Sequence, residues 1–269
     1  MKKIGIVASE GGMSCAYSVG VILALVEKYN LTEPYLVIGS SGSSGTLAYY
    51  VAKQYRSIRN IWENLLPTRS FISYVRFWRI MDIDYLIDTV FKKQDVLDVS
   101  EIRRSKIKFF ITTTNAATGE TVYFSNHDNV DIFEVLRASC AAPLVFNKLV
   151  KIDGGRYLDG AIGSPLDKNI QKAKNEGAEI IIAIDNADRS TLSNLPLKTY
   201  AFFKNKGLSR KIKEYCAYSP GMHDASVIII SPSQKLPIHT LDNNREDILK
   251  AISIGYKDAA NIKKLLKDI

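Results

Sequence analysis

The densest run of residues able to do chemistry is Gly39-Ser40-Ser41-Gly42-Ser43-Ser44-Gly45. It follows an apolar, β-prone stretch at 35–38 and leads into a stretch of helical spacing at 45–54. A serine on a sharp strand-to-helix turn holds its hydroxyl exposed at the top of a sheet. The turn is crowded, so the residues two before and two after the serine must be small. Ser41 has Gly39 and Ser43 at those places, Ser43 has Ser41 and Gly45, and Ser44 has Gly42 and Thr46. No serine fits G-x-S-x-G strictly. Ser41 keeps the first glycine and the right distance from the strand, which makes it the preferred nucleophile, with Ser43 next. The following helix would aim its first amides at developing negative charge. The same run also reads as a phosphate-binding loop at a helix N-terminus, and its spacing does not separate the two.

Gly11-Gly12-Met13 follows the first apolar run. Consecutive glycines let backbone amides face a cavity with no Cβ in the way, as an oxyanion hole requires. A dinucleotide fingerprint is excluded, because residues 10–15 read E-G-G-M-S-C and lack G-x-G-x-x-G. A third candidate is Tyr157-Leu158-Asp159-Gly160-Ala161, with Pro165 shortly after, and Asp153-Gly154-Gly155 lies just upstream. Asp-Gly is ordinarily a turn former, and nothing local singles out Asp159 as a base. His127, His223 and His239 sit in no recognisable catalytic setting.

The elements that must position these residues alternate. Apolar or β-branched runs at 3–8, 35–38, 108–114, 179–184 and 227–230 are interleaved with helical patterns, among them 16–29. The run EIIIAI at 179–184 has the continuous apolar character of a strand buried on both faces. Interleaving of this kind predicts βαβ units and an α/β fold, a three-layer αβα arrangement around a mostly parallel central sheet. Parallel sheets carry their functional loops at the carboxyl ends of the strands. No repeat or Pro/Ser linker divides the chain, so one domain over 1–269 is expected. One stretch stands apart: LLPTRSFISYVRFWRIM, at 65–81, mixes Phe71, Tyr74, Phe77 and Trp78 with Arg69, Arg76 and Arg79. Its composition suits a lid or a membrane-contact segment. The plainer expectation is an amphipathic helix with its aromatics packed on the sheet and its arginines solvated.

Composition narrows the field. The chain has 269 residues, 46% hydrophobic and 24% charged, as soluble globular proteins have, which excludes a disordered or low-complexity scaffold. Its 36 Lys+Arg against 28 Asp+Glu give a net charge of +8. Such a surface attracts phosphates on nucleic acid or lipid. No nucleic-acid module or long basic run accompanies the charge, so nucleic acid is not an expected partner. The 3 cysteines are Cys15, Cys140 and Cys216. They are widely spaced and form no CxxC, which argues against a disulfide framework or a zinc site and fits a cytoplasmic protein. The opening MKKIGIVASE is too short in its apolar part for a signal peptide and reads as a first buried strand. No window of about 18 apolar residues is present to span a membrane.

Taken in order, these segments resemble the patatin-like phospholipase family over most of the chain. IVASEGGMSCAYSVGVILAL resembles the family's glycine-rich oxyanion turn and first helix. VIGSSGSSGTL resembles its nucleophile elbow, ITTTNAATGETVYFS its mid-domain strand and turn, and LRASCAAPLVF the segment packed near the active site. YLDGAIGSPL resembles its Asp-Gly-Gly/Ala motif with trailing proline, and EGAEIIIAIDN the strand that follows. The resemblance implies lipid acyl hydrolysis by a Ser-Asp dyad without a catalytic histidine. Ser41 would be the nucleophile, Asp159 its base, and the backbone amides of Gly11, Gly12 and Met13 the oxyanion hole. It implies a lipid or other acyl-ester substrate. A peripheral membrane contact is suggested by the 65–81 stretch and the net charge, no cofactor is expected, and the lack of an EF-hand type loop predicts metal-independent activity.

Three positions depart from the family pattern. Glu10 stands where the family has the first glycine of the turn, Ser14-Cys15 where it has Arg-Gly, and Ser43 where the elbow ends in glycine. The loss of the arginine removes a fixed positive charge beside the turn. The alternative is accordingly a catalytically impaired relative that binds lipid or an anionic membrane surface. An acyltransferase acting through the same serine is a third.

Overall fold

The computed structural model describes residues 2–186 and 195–260. Its strands are β1 (Ile4–Ala8), β2 (Leu36–Gly39), β3 (Lys108–Asn115), β4 (Thr121–Ser125), β5 (Val150–Ile152), β6 (Gly155–Asp159), β7 (Ile180–Ile184) and β8 (Val227–Ile230). They form one sheet in the order β5-β6-β3-β2-β1-β7-β8, with β4 also paired to β3. β3, β2, β1, β7 and β8 run parallel. β4, β5 and β6 form an antiparallel annex at one side. The helices are α1 (Ala16–Tyr29), α2 (Gly42–Val51), α3 (Tyr55–Asn60), α4 (Val99–Arg104), α5 (Ile132–Ser139), α6 (Gly160–Gly163), α7 (Leu166–Asn175), α8 (Leu195–Phe202), α9 (Lys206–Ala217) and α10 (Arg245–Ala260).

The continuous apolar strands are explained by the layers that cover them. Neighbouring side chains of a strand point to opposite faces. Ile6 and Ala8 join the core beneath α1, α2 and α10, while Val7 packs with Leu166, Ile170 and Ala173 of α7 on the other face. Both faces are dry, so a parallel strand here needs no polar alternation. The expected α/β architecture with a mostly parallel central sheet is therefore present. The annex has the opposite character. Every residue of β4 is only half-buried, which leaves no continuous apolar run to mark it in the sequence.

The 65–81 stretch is not an amphipathic helix. A π-helical turn ends at Leu65, and Pro67 restricts the residue before it. The chain then runs as a loop closed by an antiparallel bridge between Ile72 and Met81. Phe71, Ile72 and Met81 are buried, whereas Tyr74, Val75, Phe77 and Trp78 are exposed. The arginines are not simply solvated. Arg76 donates to the carbonyls of Arg69, Ser70 and Phe71 and pairs with Asp82 at 3.1 Å. Arg79 pairs with Asp82 at 3.3 Å and with Asp84 at 3.5 Å. A guanidinium thus satisfies the carbonyls that helical hydrogen bonds would otherwise take.

Candidate active site

Ser41 lies between the end of β2 and the first residue of α2. Its backbone sits at φ 52° and ψ −131°, a conformation that a residue with a Cβ rarely adopts. Strain of this kind costs on the order of 1–3 kcal/mol and keeps the side chain at the mouth of the turn. Gly39 makes the turn possible: a Cβ there would lie 2.7 Å from the Ser44 Cα. Ser43 fits where glycine was expected because its hydroxyl is absorbed. It donates to the Ser9 carbonyl at 2.6 Å and accepts from Asn186 Nδ2 at 3.1 Å.

The sheet brings Asp159 to Ser41 across 118 residues of sequence. β6 runs antiparallel to β3, with Asp159 opposite Thr113. Ser41 Oγ donates to Asp159 Oδ2 at 2.7 Å. The other carboxylate oxygen accepts the Ala161 amide at 2.9 Å, capping α6. Asp159 is only 3% exposed. Burial pushes its carboxyl up from 3.8 to about 7, against the pull of the Ala161 amide and the Ser41 hydroxyl. Asp153 has a different place. It is exposed at φ 45° and, with Gly154 at φ 78°, forms the two-residue turn joining β5 to β6.

Gly160 follows Asp159 because of a close approach rather than a turn. A Cβ at Gly160 would lie 2.3 Å from the Thr112 carbonyl oxygen and 2.2 Å from its hydroxyl. Gly160→Ala must therefore push α6 and Asp159 away from β3. The expected outcome is a fall in melting temperature of several degrees, equivalent to about 2 kcal/mol or more, together with loss of any activity that needs the Ser41–Asp159 contact. Thermal denaturation of the variant beside wild type checks this.

The LRASCAAP segment braces both side chains. The Ser41 amide donates to Ser139 Oγ at 3.1 Å. The Asp159 amide donates to the Ala141 carbonyl at 3.1 Å. Thr114 Oγ1 donates to the Asp159 carbonyl at 2.7 Å. Arg137, buried at the other end of the segment, binds Asp84, which precedes the π-helical stretch Tyr85–Gln94, and Asp88 within it. Sequence reasoning missed Ser139 and Thr114, since a hydroxyl that holds a backbone group looks like any other serine or threonine.

The glycine-rich turn lies alongside. Gly12 has φ +55°, and a Cβ there would lie 2.6 Å from the Thr240 carbonyl oxygen. That same carbonyl accepts the Met13 amide at 3.0 Å, so Met13 differs from the two glycines with which it was grouped. Neither the Gly11 nor the Gly12 amide donates to a backbone carbonyl among the described residues. Gly42, the first residue of α2, faces the turn; its Cβ would lie 3.0 Å from the Gly12 carbonyl oxygen.

A cavity of about 160 Å³ opens onto these groups and is lined by Glu10, Gly11, Gly12, Ser41, Gly42 and Asp159. Beyond them it is walled by apolar side chains, including Trp62, Leu66, Phe71, Ile83, Leu86 and Phe91. Its lining contains no Lys, Arg or His among the described residues. His223 is elsewhere, 2.9 Å from Asp167. Cys15 and Cys140 are free and buried near the serines. Burial pushes the Cys15 thiol up to about 12 and raises that of Cys140 as well. Both are held as neutral thiols, which are poor nucleophiles.

A model of the patatin-like phospholipase family matches residues 9–168, more than half of the chain. The chain belongs to that family. A curated relative, the uncharacterized protein YjjU of Escherichia coli K12, is 24% identical over 189 residues, covering 68% of this chain and 51% of that protein. The chain thus spans about half the length of the curated relative it matches. Among solved structures, VipD from Legionella pneumophila superposes with a TM-score of 0.59 at 14% identity, over 100% of this chain and 67% of that one. Human GIVD cytosolic phospholipase A2 in complex with methyl gamma-linolenyl fluorophosphonate gives a TM-score of 0.52 at 10% identity, over 99% and 58%. At such identities the likeness is one of fold. The patatin-like match spans the glycine-rich turn, the Ser41 elbow, the LRASCAAP brace and the Asp159 motif together.

Proposed function

We propose that this patatin-like chain is a serine acyl hydrolase that cleaves fatty-acyl esters of lipids through Ser41 and Asp159. The observation that carries this is the 2.7 Å hydrogen bond from the Ser41 hydroxyl to the buried Asp159 carboxylate, in the lining of a largely apolar cavity. Ser41 Oγ attacks the ester carbonyl while its proton passes to Asp159 Oδ2. The amides of Gly11 and Gly12, joined by that of Gly42, stabilise the oxyanion; each such donor contributes about 2.7–4 kcal/mol in the transition state. Asp159 then returns the proton to the departing alkoxide, leaving an acyl-enzyme. A water gives its proton to Asp159, attacks the acyl carbonyl and releases the fatty acid, and Ser41 recovers its proton. A base with a pKa near 7 suits this cycle at neutral pH, since both of its protonation states are accessible. Glu10 and Asp159 are the carboxyl groups of the cavity lining.

The acyl chain has a natural path along α2. Ser41, Gly42, Gly45, Thr46 and Tyr49 all line the cavity, a run of roughly 12 Å at 1.5 Å per helical residue. Gly45 and Phe91 both line the cavity, and a Cβ at Gly45 would lie 3.0 Å from the Phe91 ring. Gly45→Val is expected to cut hydrolysis of long-chain p-nitrophenyl esters about 10–100-fold while acetyl and butyryl esters keep most of their rate. The ratio of the rates on the two ester classes checks this, and retained short-chain turnover reports an intact fold.

The overall test is release of p-nitrophenolate from a medium-chain ester by the full chain. Turnover that requires both Ser41 and Asp159 supports the hydrolase. A folded chain with no turnover, on ester or on lipid vesicles, returns the alternative of a lipid-binding relative without catalysis.

A further inference from the structure

Two exposed aromatic tips grow out of the walls of the Ser41 cavity. The first is the loop closed by Ile72 and Met81. Phe71 and Met81 line the cavity, and between them Tyr74, Val75, Phe77 and Trp78 stand between 56% and 86% exposed. The Phe77 and Trp78 rings meet edge-on at 4.6 Å. Tyr74 donates its hydroxyl to the Leu241 carbonyl at 3.0 Å, next to Thr240 of the cavity lining. The second tip joins α8 to α9. Leu197 of α8 and Tyr215 of α9 line the cavity, and between them Phe202 and Phe203 are 83% and 82% exposed.

The charge lies mainly on the second tip. Residues 195–217 hold six Lys or Arg and a single Glu. Lys213 sits over the Phe202 ring at 5.6 Å, and Lys204 over Tyr200 at 4.3 Å. In the first tip, Arg76 and Arg79 are committed to Asp82 and Asp84, which leaves Arg69 as its exposed cation. Aromatic rings seat at the headgroup level of a bilayer, and lysines near them are drawn to anionic headgroups. No described helix is long and apolar enough to cross a membrane, so the contact is peripheral. Ser41, only 8% exposed, lines the same cavity as the residues that flank both tips.

We propose that the cavity mouth docks on an anionic phospholipid bilayer through these two tips, with 72–81 supplying aromatic insertion and the α8–α9 turn supplying both insertion and charge. The inference rests on the lipid-hydrolase reading for its purpose, but docking itself needs no turnover. The test is co-sedimentation of the full chain, as Ser41→Ala, with phosphatidylcholine vesicles and with vesicles that also contain phosphatidylglycerol. Binding is expected to require phosphatidylglycerol and to fall with added salt. Lys204→Ser with Lys206→Ser should weaken it by about thirtyfold. Phe202→Ser with Phe203→Ser, and separately Phe77→Ser with Trp78→Ser, should each weaken it by about tenfold or more. In the Ser41-containing chain the same changes should leave hydrolysis of a water-soluble ester at the unsubstituted rate, which separates lost docking from a damaged site. Docking without any ester turnover would uphold this inference and remove the hydrolase. Equal binding to neutral vesicles, no binding at all, or indifference to these substitutions would overturn it.

Discussion

Ser41→Ala is expected to lower kcat for ester hydrolysis by about 10⁴–10⁶-fold, to the level that binding and the oxyanion donors sustain alone. Ser43→Ala should stay within about tenfold of wild type, because removing a hydrogen bond remote from the reacting atoms costs about 1 kcal/mol. The contrast follows from two hydroxyls two residues apart. Ser41 Oγ donates to the Asp159 carboxylate. Ser43 Oγ is fully buried and tied to Ser9 and Asn186. Parallel assays of the two variants on one p-nitrophenyl ester decide the matter. Comparable losses in both would mean that the elbow, and not one oxygen, sets the rate.

Asp159→Asn should remove activity and add stability. Asp159 ionises near its ordinary 3.8 in the unfolded chain and near 7 in the fold. Between those values the folded state holds a proton that the unfolded state has released, so stability falls as pH rises, and the loss is complete above about 7. At 1.36 kcal/mol per pH unit the full cost is about 4 kcal/mol. A neutral amide escapes it. Asp159→Asn is expected to be more stable than wild type by about 2–4 kcal/mol near pH 8, with the difference vanishing toward pH 4. Denaturant titrations at the two pH values measure it. In wild type the same ionisation should make kcat/KM fall about tenfold per unit as pH drops below 7. A flat pH profile, or a destabilised Asn variant at high pH, would mean that the carboxyl is not held up by burial.

Much of this molecule is legible in its sequence, and the illegible parts have physical reasons. The central parallel strands announce themselves because both faces are dry: EIIIAI needs no polar alternation. β4 and the first three residues of β6 do not, being partly exposed and stabilised by pairing to β3 and β5. The glycine-rich turn, the elbow and YLDGA stand out as compositional islands. Asp159 is preferred to Asp153 only through its place in YLDGA before Pro165, by resemblance; the register of β6 on β3, which no local pattern carries, is what sets it beside Ser41. Gly160 looks like a turn former and is instead a residue pressed against Thr112. Met13 looks equivalent to Gly11 and Gly12 until Thr240, 227 residues away, is placed against its amide. In 65–81 the mixture of aromatics and arginines mimics an amphipathic helix. Pro67 and the carbonyls gathered by Arg76 make it a loop, with Tyr74, Phe77 and Trp78 turned outward and Phe71 inward.

The central claim is that the Ser41 oxygen is the atom that becomes acylated. The most direct measurement is to treat the full chain with an alkyl fluorophosphonate and map the phosphonylated residue by tandem mass spectrometry. One adduct per chain on Ser41, absent from Ser41→Ala, greatly slowed in Asp159→Asn and slower below pH 7, is the expected result. An adduct on Ser43 or any other residue, or labelling that persists undiminished in Ser41→Ala, would contradict it.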